Sequence, residues 1–256
     1  MPDILTLSDL GAGVVRKLAA NIKNSRLHFH DTVTDSTGGA VFSRTADLVT
    51  ELFRKTDGII FVGPCGIIVR AMAPLLRSKL TDPPVVVIDV LGRWAVSLVS
   101  GHEGGANALC LAAANIIGAE PVITTTTDAA KTLIVGVGCR RGCDPEPIVD
   151  AVTNAIAQVG ATLSEVRLLA SAEIKAREPG LLKAAETLGL PLRLISSDEI
   201  RACPLDFATT PLAMEKVNLP AVAEPAALLA GRRTTLILPK TIKNSVTVAV
   251  ARENSL

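Results

Sequence analysis

Short runs of β-forming residues alternate with helix-length stretches along this 256-residue chain from end to end. That alternation is the strongest constraint on its fold, because strands separated by amphipathic helices assemble into mainly parallel sheets covered by helices. Strands are expected at 3–7, 27–30, 58–62, 85–89 and 94–99, and again at 133–138, 166–170, 192–196, 234–239 and 246–251. The run 85-VVVID-89 has the unbroken apolar character of a strand buried on both faces. Helices are expected after the capping Ser8, near 43–55, from Gly66 to about Leu76, after Asn107, near 145–159 and 179–188, and around 222–230 beyond a proline-punctuated stretch. Apolar periodicity lapses across 121-PVITTTTDAAKT-132. The expectation is two α/β domains, 1–130 and 131–256, each a mainly parallel sheet covered by helices.

Composition removes several classes of function. A mean hydropathy of +0.41 hints at a membrane, yet no apolar run approaches the ~18 residues of a spanning helix. Basic and acidic residues nearly cancel, at a net charge of +1, and aromatics make up only 2% of the chain. A nucleic-acid partner would favour a basic surplus and stacking platforms, and neither is supplied. Five cysteines, an odd number, follow a start without a basic and then apolar leader. Reduced thiols in a cytoplasmic protein are the expectation.

Glycine-rich turns follow three expected strands, at 63-GPCG-66, 101-GHEGG-105 and 136-GVGCRRG-142. Such turns let backbone approach a ligand closely, and the amides that open the next helix can bind an anion. None completes a dinucleotide or P-loop fingerprint. His102 is expected at the C-terminal end of a strand, where open α/β sheets place ligands, and could act as general base or donate to an oxyanion. Glu103 beside it could orient the imidazole. Arg140 and Arg141 suit bidentate capture of carboxylates, and Lys175, Arg177 and Lys240 add basic groups. His28 and His30 alternate on one strand beside Asp31, a weak metal spacing better read as a half-buried edge strand. Cys139 and Cys143 lack the C-x-x-C spacing of a redox pair.

Several blocks, in order, resemble the CbiG family of cobalamin biosynthesis, the cobalt-precorrin-5A hydrolases. They are 66-GIIVRAMAPLL-76, Lys79, 82-DPPVVVID-89, 97-SLVSGHEGGAN-107 and 122-VITTTTD-128 in the first half. The second half, with 136-GVGCRRG-142, 174-IKAREPGLLKAAETLGLPL-192, 222-VAEPAALLA-230 and 238-LPK-240, is also similar to the stand-alone CobE-type protein. The resemblance implies that water opens the δ-lactone between the ring A acetate and C20, and that the C20 fragment leaves as acetaldehyde. It implies His102 as the catalytic acid or base, with glycine-turn amides stabilising the oxyanion. It implies substrate contacts from Gly66, Arg70, Ser100, Gly101, Gly104, Gly105, Asn107, Thr125, Thr126 and Asp128, and from Gly138, Arg140, Arg141, Lys175, Glu178, Glu224 and Lys240. No protein-bound cofactor or metal is expected, since cobalt arrives with the small-molecule tetrapyrrole substrate. A homodimer and contacts with other enzymes of the pathway are compatible with it, and a cleft between two domains is a common place for such a ligand. Family members are often longer, with a middle domain that has no counterpart here. Glu103 stands where the family usually has an apolar residue, and Cys143 where it usually has Ser or Thr. The competing class is a non-enzymatic corrinoid carrier.

Overall fold

In the computed structural model, residues 1–204, 207, 214 and 218–254 are described. The chain divides into two compact units, Met1–Thr125 and Thr126–Leu256.

The first unit holds seven strands: β1 (Asp3–Thr6), β2 (Arg26–His30), β3 (Ala40–Phe42), β4 (Ile59–Val62), β5 (Val85–Ile88), β6 (Trp94–Val99) and β7 (Glu120–Val122). Their spatial order is β3-β2-β1-β4-β5-β6-β7. All neighbours are parallel except β5 and β6. Helices α1 (Asp9–Ala19), α2 (Thr45–Leu52), α3 (Cys65–Met72) and α4 (Ala106–Ile117) cover the sheet. Ser8 caps α1 by accepting the Gly11 amide, as its position predicts. A side chain at Gly11 would overlap the Thr6 hydroxyl, so α1 lies directly on β1. One core layer gathers Ile4, Val15, Leu18, Phe29, Ile60, Ile88 and the small α4 residues Cys110, Ala113 and Ala114. The other gathers Leu5, Phe53, Phe61, Ile68 and Met72. Central strands β1, β4 and β5 are therefore buried on both faces.

The antiparallel β5–β6 pair has a local cause. Only five residues, Asp89–Arg93, connect the two strands, and a parallel crossover needs a dozen or more. Asp89 closes this turn by accepting the amides of Arg93 (2.6 Å) and Trp94 (2.9 Å), and Gly92 adopts φ +69°. One correction follows. The C-terminal end of β6 lies beside the N-terminal end of β5, with Val99 opposite Val85. The His102 turn therefore sits at the edge opposite the C-terminal ends of β1, β4 and β5. A second correction concerns β2, which is an internal strand, because β3 occupies the edge.

The second unit begins with the short α5 (Thr126–Ala129), and continues through β8 (Leu133–Cys139), α6 (Pro145–Gln158), β9 (Val166–Ala172), α7 (Pro179–Leu188), β10 (Leu192–Ile195) and α8 (Ser197–Arg201). It ends with α9 (Ala223–Leu229) and the hairpin β11 (Thr234–Lys243) and β12 (Val246–Glu253). The proline-punctuated stretch before α9 falls only partly among the described residues. The order β10-β9-β8-β12-β11 places three parallel strands beside the antiparallel hairpin. Asn244 and Ser245, both at positive φ, make its two-residue turn. A side chain at Gly136 would overlap the Ala223 carbonyl, so only glycine lets α9 sit on β8. Among the described residues no helix is long and apolar enough to cross a membrane.

Candidate functional site

The first unit builds a polar site where β6 ends. Ser100 leaves the strand at φ +59°, a left-handed conformation uncommon outside glycine. It is buried, and its hydroxyl donates to the Asp82 carbonyl at 2.8 Å. A side chain at Gly104 would overlap Ser100, and Gly105 adopts φ +89° as it opens α4, so both glycines are required by the turn. The Ala106 and Asn107 amides donate to the Ser100 and Gly101 carbonyls (both 3.0 Å), which closes the turn. Among the described residues the Gly104 and Gly105 amides donate to no acceptor. They stand at the positive end of a 12-residue helix.

Asn107 acts as the buttress. Its amide oxygen accepts the Ser97 hydroxyl (2.7 Å), and its nitrogen donates to Thr125 (2.9 Å). Parallel pairing of β6 with β7 brings Thr125 to this edge. His102 is exposed on the turn. Glu103 is committed to Lys79, 2.6 Å away, and the ammonium holds its carboxyl below the usual range. That pair ties the Leu76–Asp82 loop to the turn. Between them lies a pocket of about 300 Å³ lined by Leu76, Arg77, Ser78, Lys79, Asp82, Val99 and Ser100. Gly66 and Arg70 are not brought to this site. They follow β4 at its opposite end, with the length of a four-residue strand in between. The Arg70 guanidinium turns back onto the Gly66 carbonyl.

The second unit builds a separate constellation at the C-terminal end of β8. Gly138 is half-buried, and Arg140 and Arg141 are exposed on the following turn, where Gly142 adopts φ +69°. Beneath them, buried Glu178 accepts the Gly142 amide (2.8 Å) and the Lys175 ammonium (3.3 Å). Gly180 permits this, because a side chain there would overlap the Cys143 carbonyl. Glu178 and Lys175 thus hold the arginine turn from below. Buried Glu224 accepts the Lys240 amide at 2.8 Å, next to the register shift between Leu238 and Thr241 in β11. It satisfies a donor that the bulge takes out of the ladder. Thr126 opens α5, and Asp128 lies 3.9 Å from Lys131.

His28 and His30 serve the scaffold. His28 bonds to Asp3 at 2.7 Å, and His30 bonds to Thr32 and the Ser43 carbonyl. Among the described residues no three His, Cys, Asp or Glu side chains converge as a ligand set. Burial raises the Cys139 thiol to about 11, against the opposing pull of Lys175. That leaves it protonated and a poor nucleophile. The sequence reading missed Asp82 and Ser97. An Asp directly before two prolines and a buried strand was the available signal for the first; Ser97 offered none.

Two α/β units, each presenting strand-end turns with cationic side chains or helix-opening amides, define a class of small-molecule-binding protein. Two family profiles match in sequence order: "Cobalamin synthesis G N-terminal" over residues 47–128 and "Cobalamin synthesis G C-terminus" over 133–251. The chain belongs to the cobalamin synthesis G family. It is 51% identical over 83 residues to the cobalt-precorrin-5A hydrolase of Salmonella typhimurium, a match spanning 32% of this chain and 24% of that relative. It is 24% identical over 302 aligned positions to the cobalt-precorrin-5A hydrolase of Priestia megaterium, covering 80% of each. It is 31% identical over 128 residues to protein CobE of Sinorhizobium sp., covering 49% of this chain and 83% of that one.

Proposed function

We propose that this chain is a cobalt-precorrin-5A hydrolase of the cytoplasm, acting on a small-molecule tetrapyrrole that brings its own cobalt. One observation carries the reading. An exposed imidazole, His102, stands beside the unengaged Gly104 and Gly105 amides at a helix N-terminus, within the segment that matches the family's N-terminal profile. Opening a lactone asks for this pairing of a proton-transfer group with preorganised donors for the developing oxyanion. Water adds to the lactone carbonyl, and the Gly104 and Gly105 amides hold the tetrahedral oxyanion. Collapse breaks the ester C–O bond, leaving the ring A acetate as a carboxylate and a hydroxyl on C20. Loss of the hydroxyl proton then releases acetaldehyde, as the C–C bonding pair passes into the macrocycle, which takes up a proton. Arg140 and Arg141 bind acetate and propionate groups of the substrate, and Lys240 adds a cation to the same task.

The similarity to protein CobE over about half the chain favours one alternative, a corrinoid carrier. Anaerobic incubation with cobalt-precorrin-5A separates the two readings. Acetaldehyde released in step with loss of the lactone supports the hydrolase. Tight binding without acetaldehyde refutes it in favour of the carrier.

A further inference from the structure

The loop that walls the pocket beside the His102 turn carries a buried, unsatisfied atom that the turn does not explain. Asp82 is only 6% exposed. Its Oδ2 accepts the amides of Arg77 (2.7 Å) and Ser78 (3.0 Å), which fixes the side chain. Its Oδ1 is buried and has no hydrogen-bond partner among the described residues. Leaving a buried acceptor unpaired costs about 1–3 kcal/mol, and more when it carries charge. Folded proteins keep such an atom where water, a ligand or chemistry supplies the donor. The nearby cation does not: Lys79 is drawn to Glu103 on the turn. Asp82 also lines the pocket of about 300 Å³. Its backbone carbonyl holds the hydroxyl of Ser100, the residue with the strained φ, two positions before His102. An unsatisfied carboxylate oxygen and a strained backbone therefore meet at one contact, a combination characteristic of functional sites.

We propose that Asp82 Oδ1 holds the water that attacks the lactone and takes its proton, leaving His102 as the acid. This rests on the hydrolase reading. As the water oxygen bonds to the carbonyl carbon, its proton passes to Asp82, and the carbonyl π pair moves onto the oxygen facing the Gly104 and Gly105 amides. On collapse the ester bond breaks, its electron pair leaves on the C20 oxygen, and His102 supplies the proton that oxygen takes up. Asp82 then returns its proton to solvent through the pocket.

The test uses the full chain with cobalt-precorrin-5A under anaerobic conditions, following acetaldehyde. Asp82→Asn keeps a carbonyl for the Arg77 and Ser78 amides and puts an NH2 group in place of Oδ1. The expected result is a kcat lower by about 100-fold or more, with KM and the melting temperature nearly unchanged. A fall of less than about tenfold, or an effect confined to KM, overturns the assignment. Should Asp82→Asn fail to fold, a crystal structure of the wild-type chain decides. A water within about 3.2 Å of Asp82 Oδ1 supports the proposal, and a protein donor or an empty Oδ1 overturns it. Wild-type protein that binds substrate and releases no acetaldehyde would instead refute the hydrolase reading, and the same crystal structure would still show whether Oδ1 holds water.

Discussion

Replacing Glu178 by Gln tests how the second unit holds its arginine turn. Glu178 is 7% exposed, and the Lys175 side chain it faces is 12% exposed. Gln keeps the shape and the carbonyl that accepts the Gly142 amide, but it removes the charge and puts an NH2 group where Oε2 accepts the Lys175 ammonium. Removing one partner of a buried ion pair costs roughly 3–5 kcal/mol, because the other is left uncompensated. Lys175 is not wholly enclosed and can extend its ammonium toward water, which lowers the expected cost to about 2–3 kcal/mol. The single tryptophan, Trp94, lies in the first unit and does not report this element. Hydrogen exchange of the β8 amides does, and 2–3 kcal/mol corresponds to a loss of protection of roughly 30- to 150-fold. Adding Lys175→Met removes the stranded charge, and the double variant is expected to recover most of the loss. A loss below about threefold in Glu178→Gln, or costs that simply add in the double variant, would refute the reasoning.

Four further outcomes follow from the same geometry. His102→Ala is expected to lower acetaldehyde release by about 10²- to 10⁴-fold while leaving the melt unchanged, because the side chain is exposed on a turn; wild-type turnover in this variant would remove His102 from the mechanism. Arg140→Ala and Arg141→Ala are each expected to raise KM about tenfold with kcat retained, the worth of one charged hydrogen bond to a substrate carboxylate. Gly136→Ala forces a methyl against the Ala223 carbonyl, so thermal melting should show destabilisation of about 1–3 kcal/mol as α9 is displaced. Asp3 gives an acid-side signature. Burial would raise its carboxyl, but hydrogen bonds from His28 and Arg26 outweigh that and bring it to about 2, from 3.8. Below pH 3.8 the unfolded chain therefore binds a proton that the folded chain refuses, and stability falls as pH drops toward 2. Urea midpoints measured across that window should lose part of this dependence in Asp3→Asn.

Much of the architecture could be read from the residues. β1, β4, β5 and β8 are buried apolar runs with few alternatives, and Ser8 marks a helix start by its own hydroxyl. The glycine-rich turn at 101-GHEGG-105 was legible too, and the structure shows why: a side chain at Gly104 would overlap Ser100. What could not be read were the long-range partners of polar groups. Nothing local says that Glu103 meets Lys79, that Glu178 accepts the Gly142 amide, or that Asp82 keeps one oxygen unpaired. Those contacts depend on how loops distant in sequence return to the same edge of a sheet.

Strand direction is the instructive case, because its signal was present in the sequence. Five residues between β5 and β6 cannot carry a parallel crossover, and Asp89 and Gly92 are residues suited to a tight reversal. That reversal decides which blocks share a site. A parallel β6 would have carried His102 to the edge where Gly66 and Arg70 lie. The antiparallel β6 carries it instead to the edge where β5 begins, beside Asp82, Lys79 and Thr125. The Leu76–Asp82 loop is thereby converted from a connector into one wall of the pocket, and Asp82 becomes one of its lining residues. Lengthening the Asp89–Arg93 turn should therefore disturb turnover more than substitution of Arg70, although Arg70 belongs to the more conspicuous sequence block. Equal or greater loss of turnover in Arg70→Ala would show that the edge at Gly66, and not the edge at Ser100, carries the chemistry.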